Sequence, residues 1–344
     1  MKLFLERNRQ MKKTDKIVIL GITGYMGAWL AKDLTAAGYQ NIYGSYTNSK
    51  KATVLKSTLP NLNLVDINVL TDTEKLNALM FNTKWIFNNT AAFTGQKKDT
   101  TDFIVTKTLM ANNVMQAIKQ AKTIEKIVHL GSVGTIGSGH LNPQVTEYDE
   151  SDYSAIDPDN IWGVMKLAEE RTITQWCQNL NINYVIVHPT NVIGPSFLPW
   201  NHDMIPAYLK DGGFLIDSQM DSVDVRDIAN LELTLMNDTQ VNNLRILGKG
   251  FSMMYSQLVN IVSEHLTDQQ IQILFGNMTH IIDQKTALNI LQNTKDSNFY
   301  KENINKINNT LNIHTKYPKA YKYQYTDAKE TVVAALDKML QDLN

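Results

Sequence analysis

Short, unbroken apolar runs alternate with stretches of helical periodicity from residue 16 to about residue 250. The first run, Ile17–Leu20, has no polar position and reads as a strand buried on both faces, as in parallel sheets. After it Leu30, Leu34 and Ala37 share one helix face, and Gly38 closes that helix as a C-cap. The same alternation predicts strands at Asn41–Tyr46, Leu62–Val65, Lys84–Asn88, Lys126–Leu130, Tyr184–His188 and Leu244–Leu247. Between them lie a helix from about Thr73, whose hydroxyl can N-cap it, and a long one over Ile104–Ala121. Strand and helix in turn build an α/β protein with a doubly wound parallel sheet.

Past Pro189 the alternation loosens. Segments 195–220 and 249–344 carry prolines, the Gly212–Gly213 pair and helix-like stretches, which predicts a smaller, mainly C-terminal lobe. The expected division is residues 15–194 plus about 221–248 for the sheet domain, and 195–220 plus 249–344 for a substrate lobe. Within 284–314 the apolar residues Ile290, Leu291, Ile304, Ile307 and Leu311 recur at roughly helical intervals and predict a surface helix pair. Residues 1–14 are basic and read as a frayed extension without function, Met11 being an alternative start.

Composition narrows the function classes. The hydrophobic share of 43% in 344 residues is that of a globular protein, and the formal net charge of −1 gives no electrostatic case for nucleic acid or membrane. No apolar run approaches a membrane span. The single cysteine, Cys177, excludes an intramolecular disulfide, fits a cytoplasmic location, and sits in a helical pattern that predicts a packed thiol. His140 and His202 have no companion at metal-ligand spacing, so no metal is expected; His129 and His188 sit in strand patterns and read as structural.

The residues just after the first strand carry the chemistry. Gly21, Gly24 and Gly27 let the backbone turn sharply, approach a pyrophosphate and pack helix on strand, with the helix N-terminus facing the phosphates. At the end of the second strand an acidic residue would bind a ribose 2′-hydroxyl. The chain instead has Ser45, Tyr46, Thr47, Asn48, Ser49, Lys50 and Lys51, which suit a 2′-phosphate, so NADP(H) is favoured over NAD(H).

An ordered series of motifs then identifies a likeness. G-I-T-G-Y-M-G (21–27), V-D-I (65–67), N-N-T-A-A-F (88–93), I-V-H-L-G-S-V-G-T-I-G (127–137), H-P-T-N-V-I-G-P (188–195) and D-S-V-D-V-R-D-I-A (221–229) resemble the extended short-chain dehydrogenase/reductases. These are the NAD-dependent epimerase/dehydratase group, and the dihydroflavonol-reductase and aldehyde-reductase branch is the most similar. The resemblance implies a Rossmann-type sheet and an NAD(P)-dependent reductase or dehydrogenase acting on a small carbonyl or alcohol. It implies that Gly21, Thr23, Gly24, Tyr25, Met26 and Gly27 form the pyrophosphate turn, with Thr47, Lys50 and Lys51 at the 2′ position. Asp66 and Ile67 would contact the adenine, Ala91 and Ala92 line the cofactor's course, and Pro189, Thr190 and Asn191 turn beside the nicotinamide. Asp224 and Arg226–Asp227 would be structural, with Arg226 in an ion pair. A homodimer through the helices at Ile104–Ala121 and Trp162–Gln178 is a further implication.

The resemblance also exposes a gap. Reductases of this kind use Ser, Tyr and Lys, with Tyr and Lys spaced Y-x-x-x-K on one helix face. Ser132 and Lys166 match, but the chain reads N-I-W-G-V-M-K, and Trp162 stands at the tyrosine position. An indole N–H donates a hydrogen bond but exchanges no proton at neutral pH. Three readings are open: another acid (Tyr148, Tyr153, His140 or water) replaces tyrosine; Ser132 and water suffice; or the protein is a catalytically silent cofactor-binding sensor. A nucleotide-sugar epimerase or dehydratase is the alternative enzyme class and meets the same gap. The substrate is not specified by sequence; Phe197, Trp200, Met204, Tyr208, Met253 and Met254 suggest an apolar pocket.

Overall fold

Strands β1 (Ile17–Leu20), β2 (Ile42–Tyr46), β3 (Asn63–Asp66), β4 (Trp85–Asn88), β5 (Lys126–Leu130), β6 (Asn183–Pro189) and β7 (Leu244–Gly248) form one parallel sheet in the order β7-β6-β5-β4-β1-β2-β3. The computed structural model describes residues 9–90, 100–137, 147–154, 161–199, 204–210, 214–293, 312–317 and 323–343. The order reverses between β1 and β4. Ile17–Leu20 pairs with Ile42–Ser45 on one side and with Trp85–Asn88 on the other. Every residue of β1, β4 and β5 is buried between helices on the two faces; β1 is apolar throughout, whereas β4 also buries Asn88 and β5 buries Lys126 and His129. The edge strand β3 is short and half-exposed, which limits unwanted pairing.

Helices α1 (Tyr25–Ala36), α2 (Ser49–Thr58), α3 (Thr73–Met80), α4 (Thr100–Ala121) and α5 (Ile161–Leu180) supply the crossovers. Val18, Ile86, Val114, Met115, Ile127 and Ile173 are completely buried in a core shared by sheet and helices. Each such side chain stabilises the fold by about 1.5–3 kcal/mol. Cys177 lies in the same core, and burial pushes its thiol up to about 12, which leaves it inert.

Local chemistry moved several boundaries. Thr73 is the first residue of α3 rather than its cap; the cap is Asp72, whose carboxylate accepts from the Asn68 amide at 3.0 Å. The long helix α4 begins four residues before Ile104. Residues 9–14 are docked rather than frayed: Met11 is buried, and Arg9 pairs with Asp15 at 2.6 Å and Glu125 at 3.1 Å. Buried Lys126 donates to the carbonyls of Leu235 (2.7 Å), Asp238 (2.9 Å) and Val241 (2.6 Å), closing the end of the helix Val225–Asn237.

The chain divides into two compact units: Met1–Leu141, Asp149–Pro189 and Ile228–Gly248 form the sheet unit, and Asn142–Tyr148, Thr190–Asp227 and Lys249–Asn344 the other. In the second unit Gln219–Asp224 pairs antiparallel with Phe251–Met254 and parallel with Asn191–Ile193. Its core joins Ile193, Leu209, Met220, Met253, Leu258, Phe275 and Val332. Buried Asp224 holds Arg226 through Nε at 2.9 Å and Nη2 at 2.6 Å, the expected ion pair. The first of the two helices expected in 284–314 is Gln284–Asn293; residues 294–311 lie outside the described set.

Candidate active site

Four consecutive strand ends converge on a cavity of about 490 Å³. Gly21 follows β1, Tyr46 ends β2, Ile67 follows β3 and Asn89 follows β4, and all four line it. This is the carboxyl edge of the sheet, beside the point where strand order reverses, where open α/β sheets take their ligands.

The glycine loop is set by steric necessity. Gly21 has φ +77°, and a Cβ there would lie 2.7 Å from the Asn89 carbonyl oxygen. A Cβ on Gly27 would lie 2.4 Å from the Gly21 carbonyl oxygen. Ser45 at the end of β2 anchors the loop: its Oγ accepts from the Gly21 amide at 3.1 Å, and its carbonyl from the Ile22 amide at 3.1 Å. Helix α1 starts from Gly24 with no acidic side chain in its first turn, so its positive end is left for an anion. These residues fit the diphosphate of a dinucleotide.

Gly21, Thr23, Gly24, Thr47, Lys51 and Ile67 line the cavity, whereas Tyr25, Met26, Gly27, Lys50 and Asp66 are not among its lining residues; Lys50 and Asp66 are exposed. Ala91 and Ala92 lie outside the described residues, as do His140, Trp200 and His202. Pro189 ends β6, and Asn191 starts the strand Asn191–Ile193 of the second unit, its side-chain Nδ2 donating to the Asp221 carbonyl at 3.0 Å. Asn48 lines the cavity and caps α2 by accepting from the Lys51 amide at 3.1 Å; burial pulls the Lys51 ammonium below its ordinary value. Sequence reasoning missed Asn68–Leu70, Phe103, Thr106 and Met110. The spacing of the last three, i, i+3 and i+7, marks one helix stripe and was the available signal.

The second cluster sits at the end of β5 and on α5. Ser132 caps the short 3-10 turn Val133–Thr135, its Oγ accepting from the Gly134 amide at 3.1 Å. Trp162, in the first turn of α5, is 41% exposed, and its indole Nε1–H donates to the same oxygen at 3.2 Å. Lys166 follows at i+4 and is buried, its ammonium donating to the Leu130 carbonyl at 3.0 Å and to Glu169 at 2.9 Å. Behind it Lys107 of α4 donates to the other oxygen of Glu169 at 3.0 Å and to the Thr90 carbonyl at 3.1 Å. The two ammonium groups hold the Glu169 carboxyl down to about 2 against the cost of its burial. His129 Nε2 lies 3.9 Å from Glu169, but burial pushes the imidazole down to about 3, so it is neutral at physiological pH. His188 is likewise held neutral by burial, with Nδ1 3.0 Å from the Ser132 carbonyl.

Of the candidate substitutes for tyrosine, Tyr153 carries the Arg245 guanidinium over its ring at 3.9 Å, and Tyr148 belongs to the second unit. A further group, Glu232, is completely buried and accepts from the Asn89 side chain at 2.9 Å; burial raises its carboxyl to about 8. Nothing in its helical sequence context signalled this.

The sequence pattern of the NAD dependent epimerase/dehydratase family matches residues 17–245. The chain belongs to that family. It is an extended short-chain dehydrogenase/reductase, and the bifunctional dihydroflavonol 4-reductase/flavanone 4-reductase of Malus domestica is 25% identical over 202 residues. That match covers 54% of this chain and 57% of the apple protein, a little over half of each. A Schizosaccharomyces pombe protein described only as an uncharacterized oxidoreductase is 26% identical, over 67% of this chain and 76% of its own. In fold the chain is similar to Gre2 of Candida albicans in complex with NADPH, with a TM-score of 0.74 at 17% identity over 96% of this chain and 99% of that one. Among the described residues, no helix is long and apolar enough to cross a membrane.

Proposed function

We propose that this protein is an NADP(H)-dependent oxidoreductase acting on a small carbonyl or alcohol, with Trp162 in the place of the usual tyrosine. One observation carries the reading: Ser132 Oγ accepts from both the Gly134 amide and the Trp162 indole, so its hydroxyl has only its proton to present. A serine committed in this way holds a substrate oxygen as a donor, where a carbonyl gathers charge during reduction. The bound nicotinamide supplies or accepts the hydride. In this reading Lys166 holds the ribose, and Thr47, Asn48 and Lys51, which line the cavity, meet a 2′-phosphate. The proton delivered to the substrate oxygen leaves from Ser132 Oγ. The two N–H donors hold the charge that remains there, and solvent at the half-exposed Trp162 returns the proton.

Fluorescence titration with NADPH and NADH tests the cofactor, and binding of neither overturns the reading. A panel of small aldehydes and ketones then tests the chemistry: wild type should turn over, and Ser132→Ala should lose about 10²–10³-fold in kcat. The indole's inability to exchange a proton supports a second reading, a cofactor-binding sensor without turnover. Activity appearing only in Trp162→Tyr would favour it.

A further inference from the structure

The reductase reading gives Lys166 a partner that undoes its own charge. Glu169, one helical turn along α5, accepts from Lys166 at 2.9 Å, and both side chains are buried. An isolated lysine–glutamate pair is neutral and would offer the nicotinamide end of the site almost no field. Lys107 changes that sum. It reaches across from α4, is 1% exposed, and donates to the second oxygen of the same carboxylate at 3.0 Å. Two ammonium groups on one carboxylate, beside a neutral His129, leave a buried cluster with a net charge of plus one. Through the Thr90 carbonyl, 3.1 Å from Lys107 Nζ, the cluster also touches a residue that lines the cofactor cavity.

We propose that Lys107 is a positioning residue that restores the charge of Lys166, so that the site binds the neutral, reduced nicotinamide in preference to the cationic, oxidised one. The inference rests on the proposed function, in which Lys166 serves the nicotinamide ribose. Both forms of the cofactor carry the same phosphates and adenosine, so a change in the ratio of their affinities isolates the field at the nicotinamide. The groups facing Lys107 are Glu169 and Lys166 from α5 and His129 from β5. Burial lowers the Lys107 ammonium to about 8, against the pull of Glu169, so its charge can be removed by pH as well as by mutation.

The test is the ratio of the NADP⁺ and NADPH dissociation constants, measured by fluorescence or calorimetry without substrate. Wild type should favour NADPH, and Lys107→Met should reduce that preference about tenfold, the size of a unit-charge effect over about 12 Å at an effective dielectric of about 20. Lys107→Arg should keep the preference. In wild type it should fall as the pH rises through about 8, and in Lys107→Met it should stay flat. Titration of Lys51 cancels in the ratio, because in the proposed reading it meets the 2′-phosphate that both forms of the cofactor carry. If Lys107→Met fails to fold, the wild-type pH series decides alone. A ratio unmoved by mutation and by pH, or both affinities weakened equally, would overturn the proposal and leave the reductase reading intact. Binding of neither form by wild type would overturn the reductase reading and this inference with it.

Discussion

At the glycine loop the site is governed by missing atoms, and at Ser132–Lys166 by charges that must balance. Gly21 and Gly27 work because a Cβ at either would run into backbone, 2.7 Å and 2.4 Å away respectively. No neighbouring side chain can adjust to relieve such a clash. The Ser132–Lys166 end is permissive of side-chain identity but strict about the sum: Glu169 is buried only because two lysines meet it. A lost tyrosine can therefore leave that end well packed, whereas a lost glycine cannot be accommodated. Sterics constrain one residue at a time; buried electrostatics constrains the set.

The comparison is broken hardest at Glu169. Glu169→Gln leaves two buried ammonium groups facing a neutral amide and should destabilise the fold by about 3–5 kcal/mol, read from urea unfolding at pH 7. The depressed carboxyl gives the same term a pH signature. Stability contributed by Glu169 is present above the unfolded carboxyl value of 4.5 and lost as the pH falls toward about 2.

Glu232 works the other way. Its carboxyl is raised from 4.5 to about 8 by burial, so the native state holds a proton that the unfolded state releases, and stability falls as the pH climbs through that interval. Glu232→Gln keeps the shape and the bond to Asn89. It should stabilise the protein by on the order of 3 kcal/mol at pH 7, with the gain vanishing below about pH 4.5. A flat difference between pH 4.5 and 8 would show that the carboxyl is not protonated in the native state.

At the glycine end, Gly27→Val should cost on the order of 2–3 kcal/mol and abolish NADPH binding together, because the same backbone contact shapes the loop. Destabilisation with intact binding would separate fold from site. The smallest effect belongs to Lys51. Lys51→Ala should weaken NADPH by about tenfold with little change for NADH, and Lys50→Ala, whose side chain is exposed and off the cavity, should change neither.

Much of this was legible along the chain. The strand at Ile17–Leu20 and the glycine spacing needed only local pattern, because an apolar run of that kind is the mark of a strand buried on both faces and a tight βα turn must lack Cβ atoms. Boundaries at Thr73 and Ile104 were less legible, since capping is settled by neighbours such as Asn68 and Asp72. The lining stripe Phe103, Thr106 and Met110 was written in the helical period but looked like any amphipathic face.

By itself, then, the sequence determined the parallel sheet, the glycine turn and the absence of tyrosine at Trp162, since each depends on residues adjacent in the chain. Tertiary structure alone decided that the Trp162 indole N–H reaches Ser132 Oγ from 30 residues away, and that Lys107 reaches Glu169 across 62 residues to share it with Lys166. Contacts of that kind have no period to read. They exist because burial removes water and forces distant charges to find one another.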